Sequence, residues 1–265
     1  MNQPELDLLI RMGPYWIFAL GLIWGSFYNV CIYRIPADQS VVVHSSRCPK
    51  CAAPILWYHN VPVIGFLILK GKCYRCAQKI SWQYPVVELV TGFMYLWLFH
   101  KFGFTWQLLG AIIFCSLLLI ISVIDLHHRI IPDELSLPGI VIGLLFAFIT
   151  GEPPWWDSLL GLFLGGVVFF SVAWGYEKFT GREGLGGGDI KLLAMIGAWL
   201  GGQSILMVII LSSLVGTVVG VGVMLFQKKG LKTAIPFGPF LAGAALVYFQ
   251  WGETLKEFLL FRSSN

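Results

Sequence analysis

Charge is what this sequence has least of. Asp, Glu, Lys and Arg make up 12% of its 265 residues while 57% are hydrophobic; an ordinary soluble domain carries about 25% charged residues. A chain this poor in charge cannot cover a water-facing surface, and it belongs in a lipid bilayer. Other absences narrow the function. No basic run has the form of a nucleic-acid arm, and a net charge of +4 implies no more than mild attraction to anionic headgroups, so no nucleic-acid partner is expected. The N-terminus lacks the positive region of a secretory signal, because Met1–Gly13 sets Glu5 and Asp7 against a single Arg11. The first apolar segment is therefore expected to persist as a helix. No GK[ST] follows the glycine run at Gly184–Gly188, and a GxGxxG match breaks at Asp189, which removes a phosphate-loop reading. No serine or cysteine has a persuasive histidine partner for nucleophilic catalysis. Neither a low-complexity tract nor an internal repeat is evident.

What is present are apolar segments, eight of them: Pro14–Tyr33, Pro85–Phe99, Trp106–Ile124, Leu135–Ile149, Leu159–Gly175, Ile190–Leu200, Ser204–Phe226 and Ile235–Trp251. Crossing a bilayer takes roughly 17–25 residues, so the sixth is too short. It is expected to be tilted, broken or partly re-entrant, which is tolerated where it faces protein or a wet cavity. Threading the segments in order puts Arg11, Lys101, Lys256 and Arg262 on one side and the other 14 of 18 Lys and Arg on the opposite side. By the positive-inside tendency the rich side is cytoplasmic. Both termini are then periplasmic. The expected fold is an all-α polytopic membrane protein of about eight transmembrane helices with a small cytoplasmic, zinc-ribbon-like loop domain. Its expected divisions are 1–33 as the first transmembrane helix, 34–84 as the loop, and 85–265 as the transmembrane core.

Four of the six cysteines lie in that loop, as Cys48-Pro-Lys-Cys51 and Cys73-Tyr-Arg-Cys76. Two CxxC turns about twenty residues apart supply four thiolates to one tetrahedral zinc. The competing readings, disulfides or a redox pair, are disfavoured by a reducing compartment. A loop too small for its own core gains its fold from such an ion. Cys31 and Cys115, inside apolar segments, read as packing residues.

Ionisable groups in or beside apolar helices are costly and therefore mark function. Asp125 ends the run Leu118–Ile124, and Asp189 follows the glycine run and opens the short segment. The threading brings both to the cytoplasmic face. Each has a plainer reading, Asp125 as a helix end and Asp189 as an N-cap; Asp133 after Pro132 reads as the N-cap of the next helix. If Asp125 and Asp189 face each other they can share a proton, one acting as base toward water and the other as acid toward a scissile carbonyl.

These residues resemble a known family. Gly25-Ser26-Phe27-Tyr28-Asn29-Val30, Tyr33-Arg34-Ile35-Pro36, Arg47-Cys48-Pro49-Lys50-Cys51, Trp57-Tyr58-His59-Asn60-Val61-Pro62, Gly71-Lys72-Cys73, Tyr84-Pro85-Val86-Val87-Glu88, Asp125 through Asp133, and the GxGD element within Gly186–Lys191 are similar to type IV prepilin leader peptidases, GxGD-type membrane aspartyl proteases of the kind that also N-methylate their product. The resemblance implies that Asp125 and Asp189 are the catalytic pair and that Cys48, Cys51, Cys73 and Cys76 hold zinc. It implies substrates with a short charged leader before an apolar helix, the prepilins of type IV pili or pseudopilins of type II secretion. These are cut at the cytoplasmic face of the inner membrane, and the new N-terminus is methylated from S-adenosylmethionine. Gly25, Asn29, Arg34, Asn60 and Glu88 are the candidates for substrate or cofactor contact. Two departures stand out: Gly187 at the variable position of GxGD, where a larger residue is expected, and Gly65-Phe66 in place of a more polar pair.

Three other readings compete. A peptidase without methyltransferase activity is disfavoured by the cysteine loop. A transporter would use intramembrane carboxylates and broken helices, but near mid-membrane and in repeated halves. A membrane scaffold would function with both aspartates neutralised.

Overall fold

The computed structural model describes residues 3–42, 47–181, 186–227 and 236–259. Among them the helices are α1 (Gln3–Arg34), α2 (Ile64–Ile68), α3 (Gln83–Phe102), α4 (Trp106–His128), α5 (Asp133–Thr150), α6 (Trp155–Leu162), α7 (Phe169–Thr180), α8 (Gly187–Leu200), α9 (Gly202–Gln227) and α10 (Gly238–Leu259). A π turn, Phe163–Val168, joins α6 to α7 without a break. Apart from two isolated β-bridges, no strand occurs among the described residues. Each of the eight expected apolar segments therefore has a helix, α6 and α7 forming one. Five spans are long and apolar enough to cross a membrane: Arg11–Ala37, Trp106–His128, Asp133–Thr150, Trp155–Thr180 and Gly202–Leu225. Helices α3 and α10, at 20 and 22 residues, have the length alone.

Two helix ends differ from the sequence reading. Helix α4 runs through Asp125 to His128 and closes where the Arg129 N–H bonds to the Asp125 carbonyl at 2.9 Å, with Arg129 in the left-handed region at φ 56°. Asp125 therefore sits inside the last turn rather than ending the helix. Asp133 is the first residue of α5, with Pro132 as its cap. Its carboxylate is engaged elsewhere.

The chain forms two compact units, Met1–Ser116 and Leu117–Asn265. In the first, α1 lies against α3 through small residues. A side chain at Gly21 would meet Gly92 Cα and Thr91 O at 2.8 Å, and one at Gly25 would meet Glu88 Cα at 2.7 Å. Close approach of this kind replaces the hydrophobic drive that lipid cannot provide. Tyr28 lies within 2.6 Å of the Tyr95 hydroxyl and donates to Ser116 at 2.7 Å, so these buried hydroxyls satisfy one another.

In the second unit α8 is the core. Leu192, Leu193, Met195, Ile196 and Ala198 are all buried, because α5, α6, α9 and α10 surround the helix. The backbones of α6 and α8 touch at Gly161 and Gly197. Ser158 of α6 bonds the Ala198 carbonyl, and Trp199 Nε1 bonds the Gly139 carbonyl of α5 at 2.9 Å. A 14-residue helix that is too short to span is thus covered by protein on all sides, the condition under which such an element is tolerated.

Candidate active site and metal centre

The second unit brings three helix ends to Asp125. The carboxylate, 5% exposed, projects from the last turn of α4, and its Oδ2 accepts the N–H of Gly238, the first residue of α10, at 2.9 Å. A helix N-terminus offers unpaired N–H groups and a positive dipole end, which suits a carboxylate. A Cβ at position 238 would lie 2.7 Å from that oxygen, so only glycine allows the approach. Asp189 is the third residue of α8, with Gly186 as the cap. It lies within electrostatic reach of Asp125. Lys191, two residues on, donates to both oxygens of Asp133 at 2.6 and 2.7 Å. That pair joins the start of α8 to the start of α5, and it is where the Asp133 side chain goes in place of a cap.

The glycines before Asp189 are not equivalent. A Cβ at Gly188 would meet Ile131 Cβ at 2.9 Å, whereas none of the described residues lies within 4 Å of a Cβ at Gly187. The small residue at the variable position of GxGD therefore costs no contact with the described residues. Gly188→Ala is expected to lower turnover about tenfold or more by displacing Asp189, since misplacement by about 1 Å can cost about 100-fold. Gly187→Ala is expected to leave turnover within about twofold while favouring the helix slightly. Parallel kinetics on the two variants check this ordering. Gly184 and Leu185, also in the glycine run, and Arg182, Glu183, Lys228, Lys229, Lys232 and Ile235 lie outside the described residues.

In the first unit the four loop cysteines converge. Their Sγ atoms all lie within 4.8 Å of one another, with Cys48 to Cys76 at 3.9 Å and Cys51 to Cys73 at 4.0 Å. Sulfurs bound tetrahedrally at about 2.3 Å from a zinc are about 3.8 Å apart, so the cluster fits such an ion. The two halves are copies of one turn. Cys48 N–H bonds the Ala53 carbonyl and Ala52 N–H the Cys48 carbonyl, each at 2.9 Å; Cys73 N–H bonds Gln78 at 2.9 Å and Ala77 N–H bonds Cys73 at 3.0 Å. Ala52 and Ala77 share φ 54°. Bridges Arg47–Pro54 and Lys72–Lys79 close the two turns identically. A short structural repeat is thus present where none was evident in the sequence, because beyond Cys-x-basic-Cys-Ala the copies differ. In each, backbone N–H groups address the first cysteine. Those of Cys76 and Arg75 hold the Cys73 thiol down to about 6, and those of Cys51 and Lys50 lower that of Cys48, which favours the thiolate at these two positions, while burial and the crowding of the other three thiols push Cys76 up to about 11.

Of the remaining candidates, Gly25, Asn29 and Glu88 lie where α1 meets α3, while Arg34 and Asn60 lie apart from them. Arg34 closes α1 and donates to the Ser40 carbonyl at 3.1 Å. Asn60 is exposed and ends the turn Trp57–His59. Gly25 packs α1 on α3. Asn29 and Glu88 are buried, at 2% and 6% exposure. Glu88 Oε2 accepts the N–H of Val63 at 2.7 Å, and Val63 is held at φ 60°, a region that β-branched residues avoid. The departure at Gly65 also has a reason, since a side chain there would collide with the His59 carbonyl.

Two family models match the chain. Residues 19–102 match the model for the bacterial peptidase A24 N-terminal domain, and residues 112–221 match the model described as the type IV leader peptidase family. The prepilin leader peptidase/N-methyltransferase of Aeromonas salmonicida is 36% identical over 92% of this chain and 92% of its own length. The chain belongs to the type IV leader peptidase family. Relatives of the same name from Xanthomonas campestris and Pseudomonas aeruginosa are 39% and 37% identical, over 90% and 96% of this chain and 91% and 97% of theirs. No solved structure matches the chain significantly. The family's N-terminal model covers the cysteine cluster, and its peptidase model covers Asp125 and Asp189.

Proposed function

We propose that this protein removes the short leader of type IV prepilins or type II secretion pseudopilins with Asp125 and Asp189, then methylates the new N-terminal amine. The observation that carries the reading is the pair itself: two carboxylates from α4 and α8 within electrostatic reach, in a chain of the leader peptidase family. Carboxylates that share a proton supply a base for water and an acid for the scissile carbonyl oxygen without a covalent intermediate. Gly238 N–H fixes Asp125 in place for this work. Cys48, Cys51, Cys73 and Cys76 hold a structural zinc that folds the loop, and S-adenosylmethionine supplies the methyl group. The three divisions 1–33, 34–84 and 85–265 correspond to an anchor, a methyl-transfer loop and a peptidase core. The bias of Lys and Arg orients the protein in the inner membrane with both termini periplasmic and the aspartates toward the cytoplasm.

The test is full-length protein in lipid nanodiscs with a prepilin-type substrate and S-adenosylmethionine, followed by mass spectrometry. Loss of the leader and a gain of one methyl on the mature segment are expected. An intact leader after exhaustive incubation with folded protein would sink the peptidase reading, and cleavage without any methyl would leave a peptidase alone.

A further inference from the structure

Polar accounting in the first unit leaves a remainder between α1 and α3. Asn29 spends its Nδ2 on two carbonyls, Gly25 at 3.2 Å and Tyr84 at 3.1 Å, while its buried Oδ1 has no partner. Tyr84 and Glu88 stand one turn apart on α3, and Gly25 lies directly against Glu88. Asn29 and Glu88 therefore both lie where α1 meets α3, Asn29 bonded to the Tyr84 carbonyl about one helical turn of α3 before Glu88. Glu88 accepts from the Val63 N–H, yet no ion pair among the described residues includes it. His59 Nδ1, on the segment leading to Val63, is also buried without a partner.

A latch for the loop would need no charge here. The Val63 N–H would bond equally well to a neutral glutamine at position 88. A negative charge on Glu88 would be surplus to that bond, and buried charge without a partner is strongly unfavourable. A small cation carrying several N–H donors would supply such a partner. Burial and size disfavour a long, hydrated side chain reaching in from solvent.

We infer that Glu88 and Asn29 form the site for the N-terminal ammonium of the cleaved substrate, and that Glu88 is the base that readies it for methylation. The inference rests on the methyltransferase reading above and assigns that activity its amine site. An α-ammonium has no lone pair. Its proton passes to the Glu88 carboxylate, and the freed nitrogen lone pair attacks the methyl carbon of a sulfonium donor. The carbon–sulfur bond breaks with its electron pair remaining on sulfur, which leaves as a neutral thioether. The product is a secondary ammonium, and the proton on Glu88 returns to water when that product departs. Asn29 Oδ1 accepts one of the N–H groups and orients the nitrogen.

The test uses full-length protein in nanodiscs and a mature substrate segment that already lacks its leader, in two forms, one with a free N-terminal amine and one N-acetylated. Wild type is expected to bind the free amine at least tenfold more tightly than the acetylated form. Glu88→Gln, which retains the Val63 bond, is expected to lose that preference and to methylate at least 100-fold more slowly at pH 7. Its rate should recover as pH rises through about 7.7–8.0, where a free α-amine loses its proton unaided; a merely structural role would leave the pH profile unchanged. Metal content of the loop, equal in both proteins, controls for folding. Equal binding of the two segments by wild type, or a Glu88→Gln rate and pH profile like those of wild type, overturns the assignment. If wild type transfers no methyl, the base role falls with the methyltransferase reading, and the amine preference alone decides the binding site.

Discussion

Asp125→Asn and Asp189→Asn are each expected to leave the substrate leader in place, with cleavage slowed about 10³–10⁴-fold in single-turnover assays. Loss of a positioned acid or base costs about 10²–10⁴-fold, and in the proposed mechanism each aspartate is needed for the other's role. The asparagine at position 125 keeps its volume, and its amide oxygen can still accept the Gly238 N–H, so the helix ends stay where they are and substrate should bind as before. What the variant would lose is the proton that the proposed pair shares. Because the two act as a unit, the double variant is expected to be no slower than the worse single one, as groups in one catalytic assembly are strongly non-additive. Wild-type turnover should be bell-shaped with pH, its two limbs belonging to the pair and not to either residue. A single variant that cleaves within tenfold of wild type would remove the paired-aspartate mechanism. Losses that multiply in the double variant would mean that the two carboxylates act separately.

Much of the candidate site is legible in the sequence because its parts are costly where they stand. A carboxylate inside an apolar run is expensive, so Asp125 and Asp189 declare themselves, and two CxxC turns have few purposes outside metal binding. The eight helices followed from apolar length, and even the shortness of α8 pointed to the protein cover it has. What stayed hidden were partners set by tertiary approach. Gly238 was one glycine among 30; the available signal was its place just after Pro236, at the start of an apolar segment. Asp133 looked like a cap because Pro132 precedes it, and only the packing of α5 on α8 gives its charge to Lys191. Asp125 was placed at a helix end because hydropathy stops there, although backbone bonding continues to His128. The repeated cysteine turns escaped notice because their likeness lies in backbone geometry, with φ 54° at Ala52 and Ala77, more than in side chains.

Removing the metal is expected to unfold the loop and to stop methylation before it stops cleavage. Between 47 and 82 only Ala53 and Gly65 are buried, while Trp57 and Trp82 are 82% and 70% exposed. A segment with so little core cannot hold its shape by apolar burial. Structural zinc contributes about 10–16 kcal/mol in zinc-finger peptides, far more than the few backbone hydrogen bonds of the two turns. Wild type should therefore carry one zinc per chain by elemental analysis. Cys51→Ser, or prolonged chelation, should release it and raise amide exchange throughout 47–82. The strained Val63 that meets Glu88 belongs to this loop, so its release should disturb the proposed amine site directly, and methyl transfer should fall at least about 100-fold. Asp125 and Asp189 lie on helices of the other unit, so cleavage should fall by much less. A metal-free loop that keeps its exchange protection would mean that the cysteines do not fold it. Equal losses of both activities would mean that the loop serves the peptidase as much as the methyl transfer.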